Sequence, residues 1–332
     1  METKTETKRK KEGMEFLNKI ILSDCLEGIK QMPDNSVDCC ISSPPYWGLR
    51  DYGVDGQIGL EENYSEFIAK LIELYSEIQR VLKPTGTCFV NLGDTYAGSG
   101  SGTTKNADTS KYVENSKQVY VLPNGTAKAS KFRGTNLNKS LLMIPERFAI
   151  GMIDAGWILR NQIIWHKPNQ MPSSATDRFT VDFEKIFFFV KQSTGYYFEQ
   201  QLEPYTKPLD RWGGDDLEAN GNSTWDNGTG QTTYRNRNMR PNPDGKNMRT
   251  VWSINTEPFP EAHFATYPEK LVKRMIEAGC PKNGLVLDPF MGAGTTAVVA
   301  KKLNRNYTGF ELNPKYKLIA ENRLIKEVGL FL

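Results

Sequence analysis

Residues 37–46 read Val-Asp-Cys-Cys-Ile-Ser-Ser-Pro-Pro-Tyr. Val37–Ser42 is a short, mostly apolar run of strand length. Ser43-Pro44-Pro45-Tyr46 ends it, because two consecutive prolines have no N–H for a ladder and fix φ near −65°. A strand that stops in a stiff turn carrying one hydroxyl and one aromatic ring does one of two things. It makes a plain structural turn, or it places those groups at the carboxyl end of a strand, where open α/β sheets bind ligands.

The flanking sequence supplies the sheet. Ile20–Ser23 reads as a strand ending at Asp24. Tyr64–Leu82 carries Phe67, Ile68, Leu71, Ile72, Tyr75, Ile78 and Leu82 at amphipathic-helix spacing. Pro84-Thr85-Gly86 predicts a turn and Thr87–Leu92 a buried strand. Strand and helix therefore alternate, which implies a parallel α/β sheet. Leu141–Ala155 reads as a helix whose start Pro145 delays. Trp157–Trp165 and Lys185–Val190 read as strands. After Trp252 the spacing predicts a helix over Pro268–Ala278 and a strand over Leu285–Leu287. A helix over Thr295–Leu303, a strand over Tyr307–Phe310 and a closing helix over Pro314–Val328 follow.

Composition narrows the chemistry. The chain has 332 residues, of which 38% are hydrophobic. No apolar run approaches the roughly 20 residues that span a bilayer. Residues 1–11 are charged and lack the apolar stretch of a secretory signal. Five cysteines, Cys25, Cys39, Cys40, Cys88 and Cys280, form no C-x-x-C pair, and read as buried reduced thiols. Two histidines, His166 and His263, are too few for a histidine-built zinc site or hydrolase. The net charge of +3 is mild, but its distribution is uneven. Residues 95–140 hold Lys105, Lys111, Lys117, Lys128, Lys131, Arg133 and Lys139 against Asp108 and Glu114. Arg235, Arg237, Arg240, Lys246 and Arg249 form a second cluster, against Asp244. Such stretches are solvated loops or phosphate contacts.

A second stretch, Asp288-Pro289-Phe290-Met291-Gly292-Ala293-Gly294-Thr295-Thr296, runs from a strand through a glycine turn into a helix. Gly292 and Gly294 let backbone approach a ligand closely. Glu311, at the end of the next strand, is placed to accept hydrogen bonds from ribose hydroxyls. The third glycine of a dinucleotide fingerprint is missing, which argues against a nicotinamide cofactor.

Together, Ser43–Tyr46 and Asp288–Thr296 resemble the two motifs of the beta-group DNA amino-methyltransferases. The order of amine-binding motif, recognition region and cofactor motif corresponds to that group. The resemblance implies a Rossmann-like S-adenosylmethionine-dependent methyltransferase fold, circularly permuted, with an inserted target-recognition region. It implies that Ser43 and the Pro44 carbonyl accept hydrogen bonds from the exocyclic amine of a flipped base. Pro45 completes the turn and Tyr46 stacks on the base. It assigns Asp288, Phe290, Gly292, Gly294, Thr295, Thr296 and Glu311 to S-adenosylmethionine. Phe264 and Thr266, in His263–Pro268, would surround the methionine part of that cofactor. Asp24 matches an acid that meets the adenine amine; a helix-capping Asp is the competing reading. Arg80–Asp94 and Ile163–Asn169, with Trp165, Lys167, Pro168 and Asn169, also look like family segments. No metal is implied.

The organisation expected is a disordered tail over 1–17, a catalytic domain over 18–170 and 252–332 with a basic loop at 95–140, and a target-recognition region over 171–251. Lys128, Lys131 and Arg133 are expected on DNA phosphates, and Arg235, Arg237, Arg240 and Arg249 on DNA of the target site. The resemblance implies double-stranded DNA as partner and a bacterial, archaeal or phage-encoded protein at work in the cytoplasm. It leaves open a cognate restriction endonuclease and a homodimer. Ser43 favours cytosine N4 over adenine N6, since adenine enzymes usually carry Asp or Asn there. A DNA-recognition protein without turnover is the alternative from another class.

Overall fold

In the computed structural model, residues 15–49, 53–98, 137–205, 242, 244–257 and 266–329 are described. The elements in chain order are β1 (Lys19–Leu22), α1 (Cys25–Lys30), β2 (Val37–Ser42), α2 (Tyr64–Val81), β3 (Leu82–Leu92), α3 (Ile144–Asp154), β4 (Ile158–His166) and β5 (Phe183–Val190). There follow β6 (Leu202–Glu203), β7 (Lys246–Asn247), β8 (Val251–Ser253), α4 (Glu269–Gly279), β9 (Leu285–Asp288), α5 (Thr295–Lys302), β10 (Asn306–Glu311) and α6 (Pro314–Val328).

Eight strands form one sheet in the order β1-β10-β9-β2-β3-β5-β4-β8. The first five run parallel, β5 runs antiparallel to both of its neighbours, and β8 runs parallel to β4. All six residues of β2 are buried, as befits a strand in the middle of a sheet covered on both faces. The helix α2 buries Phe67, Leu71, Leu74, Tyr75, Ile78 and Val81 along one stripe. These pack with Val90, Leu92, Phe148 and Phe189 in the core. All five cysteines are buried and free of disulfides; burial pushes the Cys25 and Cys280 thiols up to about 12.

The chain order is permuted in space. The last two strands, β9 and β10, lie between β1 and β2. The two motifs, far apart in sequence, therefore leave adjacent strands, since Cys40 of β2 pairs with Leu287 of β9.

Three boundaries differ from expectation. Pro84-Thr85-Gly86 lies inside the span of β3: pairing steps from Val37↔Leu82 to Cys39↔Thr87, so the turn is a bulge within a continuing strand. Residues 1–14 lie outside the described residues, but Phe16, expected in the tail, is buried in the core. The sheet also takes part of the expected recognition region. Strand β5 is a central strand, and the second compact unit begins at Gln200 and ends at Arg249. Its described part holds the hairpin of β6 with β7, where Glu203 pairs with Lys246 and Arg249. No helix among the described residues is long and apolar enough to cross a membrane.

Candidate active site

The parallel strands β1, β10, β9, β2, β3 and β4 all end at one edge of the sheet, and the antiparallel β5 begins there. Asp24, Glu311, Asp288, Ser43, Asp94, Lys167 and Glu184 are thus brought to a common edge from seven strand ends.

At the β2–β5 side, the turn after β2 is locked by side chains from other strands. The Tyr46 hydroxyl donates to Glu184 Oε2 at 2.6 Å. Asn91, on β3, points its amide Nδ2 at Glu184 Oε2 (2.8 Å), Tyr46 Oη (3.0 Å) and Ser43 Oγ (3.4 Å). Two N–H groups facing three oxygens make at least one of these bonds shared. Lys167 pairs with Glu184 Oε1, and its ammonium lies 4.4 Å from the centre of the Trp165 ring. Both members of that pair are largely shielded from solvent, so the interaction is less screened than a surface pair. Gly93 follows on β3, where a Cβ would come within 2.4 Å of the Tyr46 ring. The ring therefore lies against bare backbone. Asp94 Oδ1 accepts from Thr95 N and Ile144 N, tying the strand end to the start of α3. Asn91 Oδ1 is buried without a hydrogen-bond partner. Ser42 and Tyr75 share a buried hydroxyl–hydroxyl hydrogen bond beneath the turn.

At the β9–β10 side, Asp288 is fully buried. Its Oδ2 accepts from Tyr267 Oη (2.8 Å) and Thr296 Oγ1 (2.5 Å), and Oδ1 accepts from Phe290 N (2.9 Å). Burial nevertheless wins over these three donors and raises its carboxyl to about 6. Glu311 accepts from Gly292 N and Asn313 N, each at 2.8 Å, and burial raises its pKa as well. Each Glu311 oxygen keeps acceptor capacity beyond its one backbone donor. Gly292 has φ 53°, and a Cβ there would meet only the Phe290 carbonyl, at 3.9 Å. This leaves open space beside backbone amides and a carboxylate, which suits a nucleoside with a ribose diol. Gly294, at φ 78°, has the opposite reason for lacking a side chain: a Cβ would press to 2.9 Å from Ala320 of α6.

Several sequence-expected residues play structural parts. Asp24 accepts from Glu27 N and caps α1. Thr295 Oγ1 accepts from the buried Arg323, which also pairs with Glu269. Thr266 leads directly to Tyr267, the donor to Asp288. Pro44 is buried and Pro45 half-buried in the turn. Phe264, Lys128, Lys131, Arg133, Arg235, Arg237 and Arg240 lie outside the described residues. Arg249 is held by Glu203 Oε1 at 2.6 Å. Sequence reasoning missed Glu184, Tyr267 and Arg323. Glu184 had one signal: an acid one step before the strand residues Lys185–Val190.

Residues 37–322 match the profile of the DNA methylase family of N6 and N4 enzymes. The chain belongs to this family. It is 36% identical over 309 residues to the type II methyltransferase M.SmaI of Serratia marcescens, covering 93% of this chain and 91% of that one. It is 38% identical over 301 residues to the type II methyltransferase M.Cfr9I of Citrobacter freundii, covering 91% and 85%. Among solved structures, the PvuII cytosine-N4-specific DNA methyltransferase superposes with a TM-score of 0.57 at 19% identity, covering 92% of this chain and 85% of that one. The M1.HpyAVI complex with S-adenosylmethionine superposes at 0.51 with 20% identity, covering 92% and 98%. The protein is a site-specific DNA methyltransferase that uses S-adenosylmethionine. Its permuted sheet is the fold expected from the two motifs.

Proposed function

We propose that this methyltransferase modifies N4 of cytosine in double-stranded DNA, on a base flipped out of the helix. The observation that carries the reading is Ser43 itself. The acceptor offered at the turn is a neutral hydroxyl 3.4 Å from Asn91 Nδ2, where adenine enzymes usually carry Asp or Asn. An exocyclic amine is a poor nucleophile, because its lone pair is spread into the ring. Ser43 Oγ and the Pro44 carbonyl accept its hydrogens and draw the nitrogen toward tetrahedral geometry. Tyr46, fixed by Glu184 and Asn91, holds the plane of the base. Bound S-adenosylmethionine supplies the electrophilic methyl. Asp24, Phe264, Thr266, Asp288, Phe290, Gly292, Gly294, Thr295, Thr296 and Glu311 hold it, with Glu311 on the ribose. The protein's part is positioning and electrostatics.

The second unit, with Arg235, Arg237, Arg240 and Arg249, reads the target sequence, and Lys128, Lys131 and Arg133 take phosphates. The type II names of the relatives support a cognate restriction endonuclease and a bacterial cytoplasmic setting. Assembly as a homodimer is part of the same proposal. Methylated DNA digested to nucleosides and resolved by mass spectrometry tests the target. The expected product is N4-methylcytosine; N6-methyladenine overturns the reading.

A further inference from the structure

The chain between β4 and β5 forms a closed loop at the catalytic edge. Its neck is pinched where Lys167 N donates to the Asp182 carbonyl at 2.7 Å, and His166 Nε2 lies 3.6 Å from the Asp182 carboxylate. Three further ties hold it. Asn169 exchanges hydrogen bonds with Thr256, donating to its carbonyl and accepting from its amide. Asp177 pairs with Lys139 at 2.6 Å. The Arg178 guanidinium lies 3.8 Å from the centre of the Tyr96 ring. Pro168 and Pro172 remove backbone freedom near its start.

This fastened loop presents apolar side chains to water. Phe179 is 96% exposed and Met171 72%, with Val181 and Phe183 also exposed. Single exposed apolar residues need no explanation, but three on one tied-down loop, with Phe183 where it enters β5, do. The loop enters β5 at Phe183 and Glu184, and Glu184 is the residue bonded to Tyr46. Asp177 is paired with Lys139, and among the loop's exposed side chains Met171, Phe179 and Val181 are apolar while the rest are mostly uncharged. That character suits base stacks better than phosphates. A base drawn from a duplex leaves a gap between its neighbours, and apolar wedges entering base steps are a known way to hold DNA open.

We propose that this loop is a DNA wedge, and that Phe179 stacks into the gap left by the flipped target base. The inference rests on the flipped-base reading above. The test uses the full chain with S-adenosylmethionine and a duplex carrying the methylated sequence found by sequencing. The target position holds pyrrolocytosine, or 2-aminopurine should the target be adenine. The wild-type protein should raise the fluorescence of the analogue as it leaves the stack. Phe179→Ala should lower kcat/KM on the matched duplex by about ten- to hundredfold, the usual cost of losing one base–aromatic stack. It should recover most of that loss on a duplex mismatched at the target, where the base is already loose. Phe179→Trp should stay close to wild type. If the wild type raises the fluorescence and Phe179→Ala does so equally with unchanged kcat/KM, the wedge is wrong and the flipping stands. Equal losses on matched and mismatched duplexes also overturn it. A change of sedimenting species in Phe179→Ala would assign the loop to a protein contact instead. No fluorescence rise with the wild type overturns both readings.

Discussion

At the β9–β10 end of the sheet edge, the two acids are held by their own neighbourhood. Asp288 is bonded by Phe290 N and Thr296, and Glu311 by Gly292 N and Asn313 N. At the β2–β5 end, the turn is held from three other strands: Asn91 lies on β3 and Glu184 on β5, Lys167 follows β4 and pairs with Glu184, and the bare backbone of Gly93 after β3 lies against Tyr46. The first arrangement rests mainly on backbone amides, joined at Asp288 by the Tyr267 and Thr296 hydroxyls; the second is made of side chains drawn from other strands. Cofactor affinity and turnover should therefore fail separately.

Tyr46→Ala should give the largest effect. The base loses its positioning surface, and turnover should fall about a hundredfold or more, the scale of a reactant misplaced by an ångström. Calorimetry should find S-adenosylmethionine binding unchanged; a parallel loss of affinity would break the separation.

Next comes the buried carboxyl of Asp288. Its folded value is about 6 against an ordinary 3.8. The folded protein therefore keeps a proton that the unfolded chain releases first. This contribution is fully present below about pH 4 and is lost as pH rises toward 6, amounting to at most about 3 kcal/mol. Asp288→Asn lacks the transition. Urea midpoints of the two proteins at pH 4.5 and 7 should converge at the acid end and favour the variant at the neutral end. A constant difference would deny the shift.

Glu311→Ala should weaken S-adenosylmethionine binding by roughly 1.5–3 kcal/mol, the worth of hydrogen bonds to a charged group. Single-turnover kinetics at saturating cofactor should recover the wild-type rate. Failure to recover would place Glu311 in the chemistry rather than the binding.

Glu184→Gln should be mildest. The amide can still meet the Tyr46 hydroxyl, but the ion pair with Lys167 goes. A fall of about tenfold in kcat with unchanged cofactor affinity is expected, since one charge-assisted bond becomes a neutral one. Unchanged kcat would show that Tyr46 needs no carboxylate.

The same contrast explains what could be read from the chain. The β9–β10 end was legible as structure because its parts are consecutive: strand, glycine turn, helix, strand, acid. The strand β2 was legible to the residue, because a fully buried parallel strand is a continuous run that stops where proline stops it. At the β2–β5 end the turn was visible, and Arg80–Asp94 and Ile163–Asn169 with Lys167 only as family segments without stated partners. Glu184 and Lys167 join it through sheet pairing, which leaves no fixed spacing to find. Tyr267 and Arg323 were missed likewise, since a tyrosine and an arginine near helix positions look like ordinary surface residues. At Pro84–Gly86 the sequence predicts a strand boundary where the structure has a bulge, because proline and glycine mark turns more often than they sit inside strands.

The pairing of β1 with β10 has a consequence for how the chain is made. Among the described residues, Lys19–Leu22 finds its sheet neighbour in Thr308–Glu311, near the other end of the sequence. During synthesis the first strand waits for almost the whole chain to emerge, at roughly 5–20 residues per second. A ribosome that stalls before residue 306 releases a protein with β2 and β3 available to pair but with β1 and β9 each missing the strand that joins them. Assembly of this side of the sheet is thus the last act of translation, and an unfinished chain lacks the strand that carries Glu311 and joins β1 to β9.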